Sequence, residues 1–288
     1  MMDLSFINLI LHGIFLGGIF ACLGYGVFMW KGVMGIINAA HGDFAVLASY
    51  ICFLLLEFYG VDPLLALPLV IILMFTLGFV IQKYMINRFL PGNITRILLI
   101  TFALSVITQN SLQILFTVNE RSLYVSYYRR SITLGYLNIP LVYLLSFTIA
   151  IITFIILYLF LTRTLLGKAM RAIPKDIEAA KMLGINPANI YNYSMGISVA
   201  LAGIAGVILG LLYQFDPFTG VSYMVISLGV VIIGGLGSIK GTIVGGIATG
   251  LAYVLGGYFL GPLFQYVVCY LLILIALIIK PTGLFGGG

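Results

Sequence analysis

Residues 141–162, LVYLLSFTIAIITFIILYLFLT, run for twenty-two positions without one charged side chain. About 20 such residues is the length at which an α-helix can cross a hydrocarbon layer while satisfying its own backbone groups. Similar apolar runs recur at about 6–28, 33–56, 63–86, 96–117, 140–162, 189–213, 223–236, 241–257 and 263–279. A soluble core has no room for them. The chain is 62% hydrophobic and 8% charged, against roughly 25% charged in a soluble domain. The runs are continuous and lack a two-residue alternation, which excludes an outer-membrane barrel. The expectation is an all-α, polytopic, multi-pass membrane protein of about 8–9 transmembrane helices, folded as a single transmembrane domain over 1–288. The run 223–236 is short enough to be re-entrant or broken. Were it re-entrant, eight spans would remain and the sidedness of everything after it would flip.

The formal net charge is +6, but the basic residues lie between spans and form no stripe that would grip nucleic acid. With simple alternation, Lys31, Lys83, Arg88, Arg96, Arg163, Lys168, Arg171, Lys175, Lys181, Lys240 and Lys280 share one side, and Arg121, Arg129 and Arg130 take the other. Basic residues concentrate in cytoplasmic loops, so the larger set faces the cytoplasm, the N-terminus lies outside and the C-terminus inside. The opening MMDLSFINLI carries no basic segment before its apolar run and reads as the first helix. Cys22, Cys52 and Cys269 fall within spans without a CxxC or a His partner, and read as packing residues; so does the lone span histidine His12. No metal set is expected.

Two loops are long. Residues 118–139 carry Tyr124, Tyr127, Tyr128 and Tyr136 with the three outside arginines, which suits either aromatic anchoring at the membrane interface or partner docking. The other, at about 163–188, holds EAAKMLG at 178–184 on the basic side. Its signals spell a short helix: Pro174 near the start, Asp176 and Glu178 in the first turn, Gly184 as the stop, then Asn186-Pro187 opening the next helix. Ile177, Ala180 and Gly184 fall on one face, with Ala179 and Leu183 beside them, while Lys175 and Lys181 point elsewhere. A small-residue face permits close approach of another protein; a solvated connector whose charges only fix topology is the competing reading. Glu178-Ala179-Ala180, three residues, then Gly184 resembles the core of the EAA loop of ABC-transporter permeases, without its fuller hydrophobic-proline continuation.

Two further stretches widen the resemblance. GVMGIINAAHGDFAVLASY, 32–50, is similar to the early segment of the LivH/LivM family of branched-chain amino-acid permeases, and VVIIGGLGSIKGTIVGGIATG, 230–250, to that family's late Gly-Gly-x-Gly-Ser-x-x-Gly signature. With RAIPKDIEAAKMLGINP between them, the matching regions run from about 20 to 260, in a LivH-type layout; urea and short-chain amide permeases share all three stretches. The resemblance implies an ABC-importer permease fold with discontinuous helices, in a bacterial inner membrane. It implies as partners a second, LivM-type permease, two P-loop ATPases and a periplasmic solute-binding protein. It also implies a coupling role for Arg171, Asp176, Glu178, Ala179, Ala180, Leu183 and Gly184.

The residues have readings of their own. Gly237, Gly241 and Gly245, with Gly246 and Gly250 as a second pair, expose bare backbone for close helix crossing, and Gly203, Gly206 and Gly210 do the same on the 189–213 run. Asn38, His41, Gly42 and Asp43 lie at a break that Gly32, Gly35 and Gly42 predict. They either line or gate a pathway, or form a local hydrogen-bond network that locks the break. Sidedness puts them near the cytoplasmic face.

No Gly-x-x-x-x-Gly-Lys-Ser/Thr occurs; LLGKAM and GSIKGT fail the spacing. ATP and Mg are therefore expected on partner ATPase subunits, with no cofactor on this chain. No catalytic set is apparent, and Glu57, Asp62, Glu120 and Asp216 fall in outside loops, which disfavours proton-coupled transport. The expected activity is inward passage of a small polar solute, branched-chain or other amino acids foremost. A urea or amide permease and a stand-alone channel are the alternatives.

Overall fold

The computed structural model describes residues 2–89, 94–128, 130–134 and 137–286. Arg129 and Tyr136 of the outside loop lie outside the described residues. The element order is α1 (Met2–Met34), α2 (His41–Tyr59), α3 (Pro63–Tyr84), α4 (Ile94–Phe116), β1 (Ser131–Leu134), β2 (Leu137–Pro140), α5 (Leu141–Arg163), α6 (Leu165–Ala172), α7 (Ile177–Met182), α8 (Pro187–Leu212), α9 (Gly220–Gly234), α10 (Ile239–Leu260) and α11 (Gln265–Ile279). Among the described residues eight helices are long and apolar enough to cross a membrane; α9 is the shorter apolar one. Helix starts follow local chemistry. Asp62 accepts from Leu64 N at 2.8 Å, Asn186 from Ala188 N at 3.0 Å and Ser238 from Gly241 N at 3.0 Å, with Pro63 and Pro187 as first residues.

The second span departs from expectation. The run 33–56 is divided: α1 continues through Met34, residues 35–40 are irregular, and α2 opens only at His41. On the outside, β1 and β2 form an antiparallel hairpin, and Asp62 also accepts from the Tyr127 hydroxyl at 3.2 Å. Burial, with the Asp62 carboxylate beside it, pushes the Tyr127 hydroxyl above the usual phenol range.

The core is built on α8, which is buried along most of its length. Its small residues let neighbours close in: Gly203 meets Met74 of α3, and Gly206 meets the Ala45 backbone of α2. Hydroxyls then pin the crossings. Ser198 donates to Gly26 O at 2.8 Å, Ser194 to Met29 O at 3.1 Å, and Ser49 of α2 to Gly206 O at 2.8 Å.

The α10 glycines divide between two faces. Gly241 and Gly245 lie against Gly234 and Val230 of α9, while Gly246 and Gly250 lie against Gly17 and its neighbours on α1. Gly237 does not join them. It sits in the turn before the Ser238 cap with φ +94, and nothing approaches the position a Cβ would take. Its glycine serves backbone conformation, so the expected packing role is withdrawn.

α9 resolves the sidedness question. Its first residue, Gly220, packs on Asp43 within the bundle, and the turn that follows it brings the Gly237 backbone near Gly32 at the α1 inner end. The C-terminal tail folds beneath it, Leu284 N donating to Ile233 O at 2.9 Å and Phe285 N to Gly234 O at 3.0 Å. The irregular stretch 213–219 supplies the outer part of the crossing, so α9 is a half-helix on a through-going path. Lys31, Lys240 and Lys280 therefore share one end, as alternation predicts.

Gly246→Leu is expected to abolish recovery of folded, monodisperse protein in detergent, because its side chain would enter the α1 backbone. Gly237→Ala should fold and lose roughly 1–3 kcal/mol of stability through strain alone, read as a lowered Tm.

Candidate functional site

The break between α1 and α2 is a polar node. Asn38 is fully buried; its Oδ1 accepts from Ala40 N at 3.1 Å, and its amide faces Met195 Sδ at 3.8 Å. His41, also fully buried, directs Nε2 to Leu23 O at 3.1 Å and sets its ring edge-on to Trp30. Because Leu23 O can only accept, Nε2 carries the proton, and Nδ1 is left without a partner. The Asp43 carboxylate accepts from Ser105 Oγ at 2.5 Å and from Gln109 Nε2 at 2.9 Å, both on α4. Thr101, one turn before Ser105, accepts from Ala39 N at 3.1 Å, and its hydroxyl lies 3.0 Å from Leu98 O of its own helix and 3.3 Å from Ile37 O. Gly42 meets the first turn of α9 backbone to backbone.

This group is not near the cytoplasmic face. His41 lies level with Leu23, eleven residues above the inner end of α1, and Gly26 beside it touches Ser198, eleven residues above the inner end of α8. At 1.5 Å per residue that is about 16 Å, close to the middle of the 26-residue α8. Residues 35–40 double back along α1 and carry the motif to the middle. The expectation failed because it measured depth along the sequence, and an irregular segment that turns back is invisible to that measure. The same geometry puts a buried carboxylate, Asp43, inside the spans, so the outside positions of Glu57, Asp62, Glu120 and Asp216 do not account for every acidic residue of the membrane region.

Sequence reading missed the α4 partners Thr101, Ser105 and Gln109. They recur every four residues along α4, a stripe that shares one helix face. That face latches α4 to the break, and α4 otherwise has little packing against the chain.

At the inner end the 163–188 loop forms two helices where one was expected, and Pro174 falls in the turn between them. Thr164 caps α6 by accepting from Gly167 N at 3.0 Å, and Arg171 Nε donates to Leu161 O at 3.0 Å, which ties α6 to the end of α5. Asp176 Oδ1 accepts from Glu178 N at 3.0 Å and Ala179 N at 2.9 Å, and Gly184 ends the unit with φ +80. The expected small-residue contact face is turned inward at Ala180, which is buried and accepts from Ile185 N at 3.1 Å. What projects is larger: Met182 is 87% exposed, Leu183 80% and Leu165 84%, with Ile177 beside them. Met182 and Leu165 were not anticipated. Glu178 is spanned by an exposed pair with Lys181 at 2.8 Å, an interaction worth little in water.

Residues 9–277 match the family model for the permease component of branched-chain amino acid transport systems. The chain is 27% identical over 295 residues to the high-affinity branched-chain amino acid transport system permease protein BraD of Pseudomonas aeruginosa, covering 98% of this chain and 96% of that protein. It is 26% identical over 298 residues to the corresponding LivH of Escherichia coli, with the same coverage. Among solved structures, PsaBC from Streptococcus pneumoniae in complex with Fab superposes with a TM-score of 0.49 at 17% identity, covering 96% of this chain and 92% of that one.

Replacing Asp43 by Ala removes the acceptor of the buried Ser105 hydroxyl, at about 1–3 kcal/mol, and leaves Gln109 Nε2 only its bond to Ser105 Oγ at 3.2 Å. Hydrogen exchange in the 101–109 segment should accelerate in this variant while α8 remains protected; equal protection of α4 would show that the latch does not hold it.

Proposed function

The chain belongs to the family of branched-chain amino acid transport-system permeases, and on that premise we propose that it is the transmembrane subunit of an ABC importer carrying branched-chain amino acids into the cytoplasm. The observation that carries the reading is the near full-length family match, joined at the inner end by a capped helix pair that presents apolar side chains to the aqueous side. Met182, Leu183, Leu165 and Ile177 form a surface with no reason to face water unless another protein covers it. The proposed cover is a P-loop ATPase, which supplies the ATP and Mg chemistry that this chain's sequence does not encode. Two such subunits, a second permease and a solute-binding protein outside complete the assembly, in a bacterial cytoplasmic membrane.

The mechanism follows from connectivity. α6 and α7 lie between α5 and α8, and α8 is the helix on which α1, α2 and α3 pack. Movement of the helix pair with a closing ATPase dimer therefore reaches the core directly. At half depth the Asp43 latch positions α4, whose remaining faces lie open to a second permease. In this reading Asp176 and Gly184 keep the coupling unit rigid, Arg171 anchors it to α5, Ala180 seats it, and Glu178, Ala179 and Leu183 lie on its outer side with Met182.

Gently solubilised native membranes, with this chain tagged, should yield two P-loop ATPases and a second polytopic permease by mass spectrometry. Recovery of the chain alone or as a homo-oligomer would overturn the importer and favour a stand-alone channel. Gly184→Val, which forces a branched side chain to φ +80, should keep the protein in the membrane and the complex intact while lowering leucine uptake at least about tenfold, with ATP hydrolysis no longer tied to transport. Asp176→Ala should show a milder form of the same defect, having lost a helix cap worth about 1 kcal/mol.

A further inference from the structure

The outer end carries a concave site that neither the coupling loop nor the polar node explains. A cavity of about 310 Å³ lies between the last turns of α2, the loop after α4 and the loop after α8, lined by Phe53, Leu56, Glu57, Glu120, Arg121 and Gln214 among others. The loops are stitched together: Arg121 N donates to Phe215 O and Phe215 N to Arg121 O, each at 2.8 Å, and Leu123 N donates to Gly210 O at 3.0 Å. The backbone carrying Arg121 is thus fixed to the outer end of the central helix.

The charges in this pocket are unspent. Among the described residues the one ion pair is Lys181–Glu178, at the opposite end of the molecule. Arg121 instead lies over the Phe53 ring, 5.4 Å from guanidinium carbon to ring centre, and its buried Nε has no hydrogen-bond partner. A stacked guanidinium keeps its planar fork free for a carboxylate. Glu57 and Glu120 line the same cavity as acceptors for a cation, and Phe53 and Leu56 supply an apolar wall.

We propose that this pocket is an entry site for an α-amino acid zwitterion with an apolar side chain. The carboxylate is held by Arg121, the ammonium by Glu57 and Glu120, and the side chain lies against Phe53 and Leu56. The cavity volume suits a small ligand. An acidic knob from a docking protein would meet two carboxylates beside the single arginine, whereas a zwitterion satisfies both signs at once. The assignment rests on the amino-acid importer reading and adds to it the first contact on this chain.

The test uses the full chain copurified with its partners, reconstituted in nanodiscs without a solute-binding protein. Radiolabelled L-leucine, leucinamide and 4-methylpentanoate serve as probes; the second lacks the carboxylate and the third the ammonium. Arg121→Gln should weaken leucine roughly tenfold or more and leave leucinamide unchanged, with Arg121→Lys restoring part of the loss. The double change Glu57→Gln with Glu120→Gln should weaken leucine and leucinamide and spare 4-methylpentanoate. The pocket assignment falls if wild type binds no leucine under these conditions, if the variants match wild type, or if all three probes weaken equally. Uptake separates this from the broader reading: wild-type vesicles that import leucine while the pocket variants do so equally well would sink the pocket alone. Vesicles of the complete wild-type complex that import no amino acid would sink the importer.

Discussion

The structure depends on satisfying the peptide groups of a segment that leaves helical pairing at the inner end of α1 and runs back into the bundle. Where that segment is buried, the N–H and C=O groups it releases need partners from the protein. Asn38 answers locally by accepting from Ala40 N, and Thr101 answers from another helix by bonding Ala39 N and facing Ile37 O. Asp43 then accepts from Ser105 and Gln109. One requirement therefore fixes three things together: the return of the chain to half depth, the position of α4, and the place where α9 begins.

Around that node the packing is made by small residues. In lipid, helices gain little by hiding apolar surface from tails that are equally apolar, so close backbone approach and hydrogen bonds across the crossing carry the association. Glycines of α10 divide between α1 and α9, those of α8 face α2 and α3, and serine hydroxyls reach carbonyls on the neighbouring helix. The result is a rigid centre with exposed helices around it. α4 is held to this centre by polar bonds more than by packing.

The two aqueous ends differ in kind. The inner end offers a capped helix pair with projecting Met182, Leu183 and Leu165; the outer end offers a concave pocket with both signs of charge. In the proposed importer the first suits a mechanical seat and the second a small ligand. α8 joins them, beginning three residues after Gly184 and bonding through Gly210 to the loop that carries Arg121.

Length and hydropathy of the apolar runs determined the helical membrane class, because crossing hydrocarbon leaves few alternatives for the backbone. Alternation of the spans determined which basic residues share one end, and the Asp176, Gly184 and Asn186-Pro187 signals determined the ends of α7 and the start of α8, since caps act within a few residues of themselves. Tertiary structure alone decided the depth of Asn38, His41 and Asp43, because depth depends on a segment that turns back along α1. It also decided that Gly237 belongs to a turn, that Ala180 faces inward while Met182 faces out, and that α4 supplies the partners of Asp43. Periodicity tells which residues share a face. Which neighbour that face meets is settled only when the helices cross.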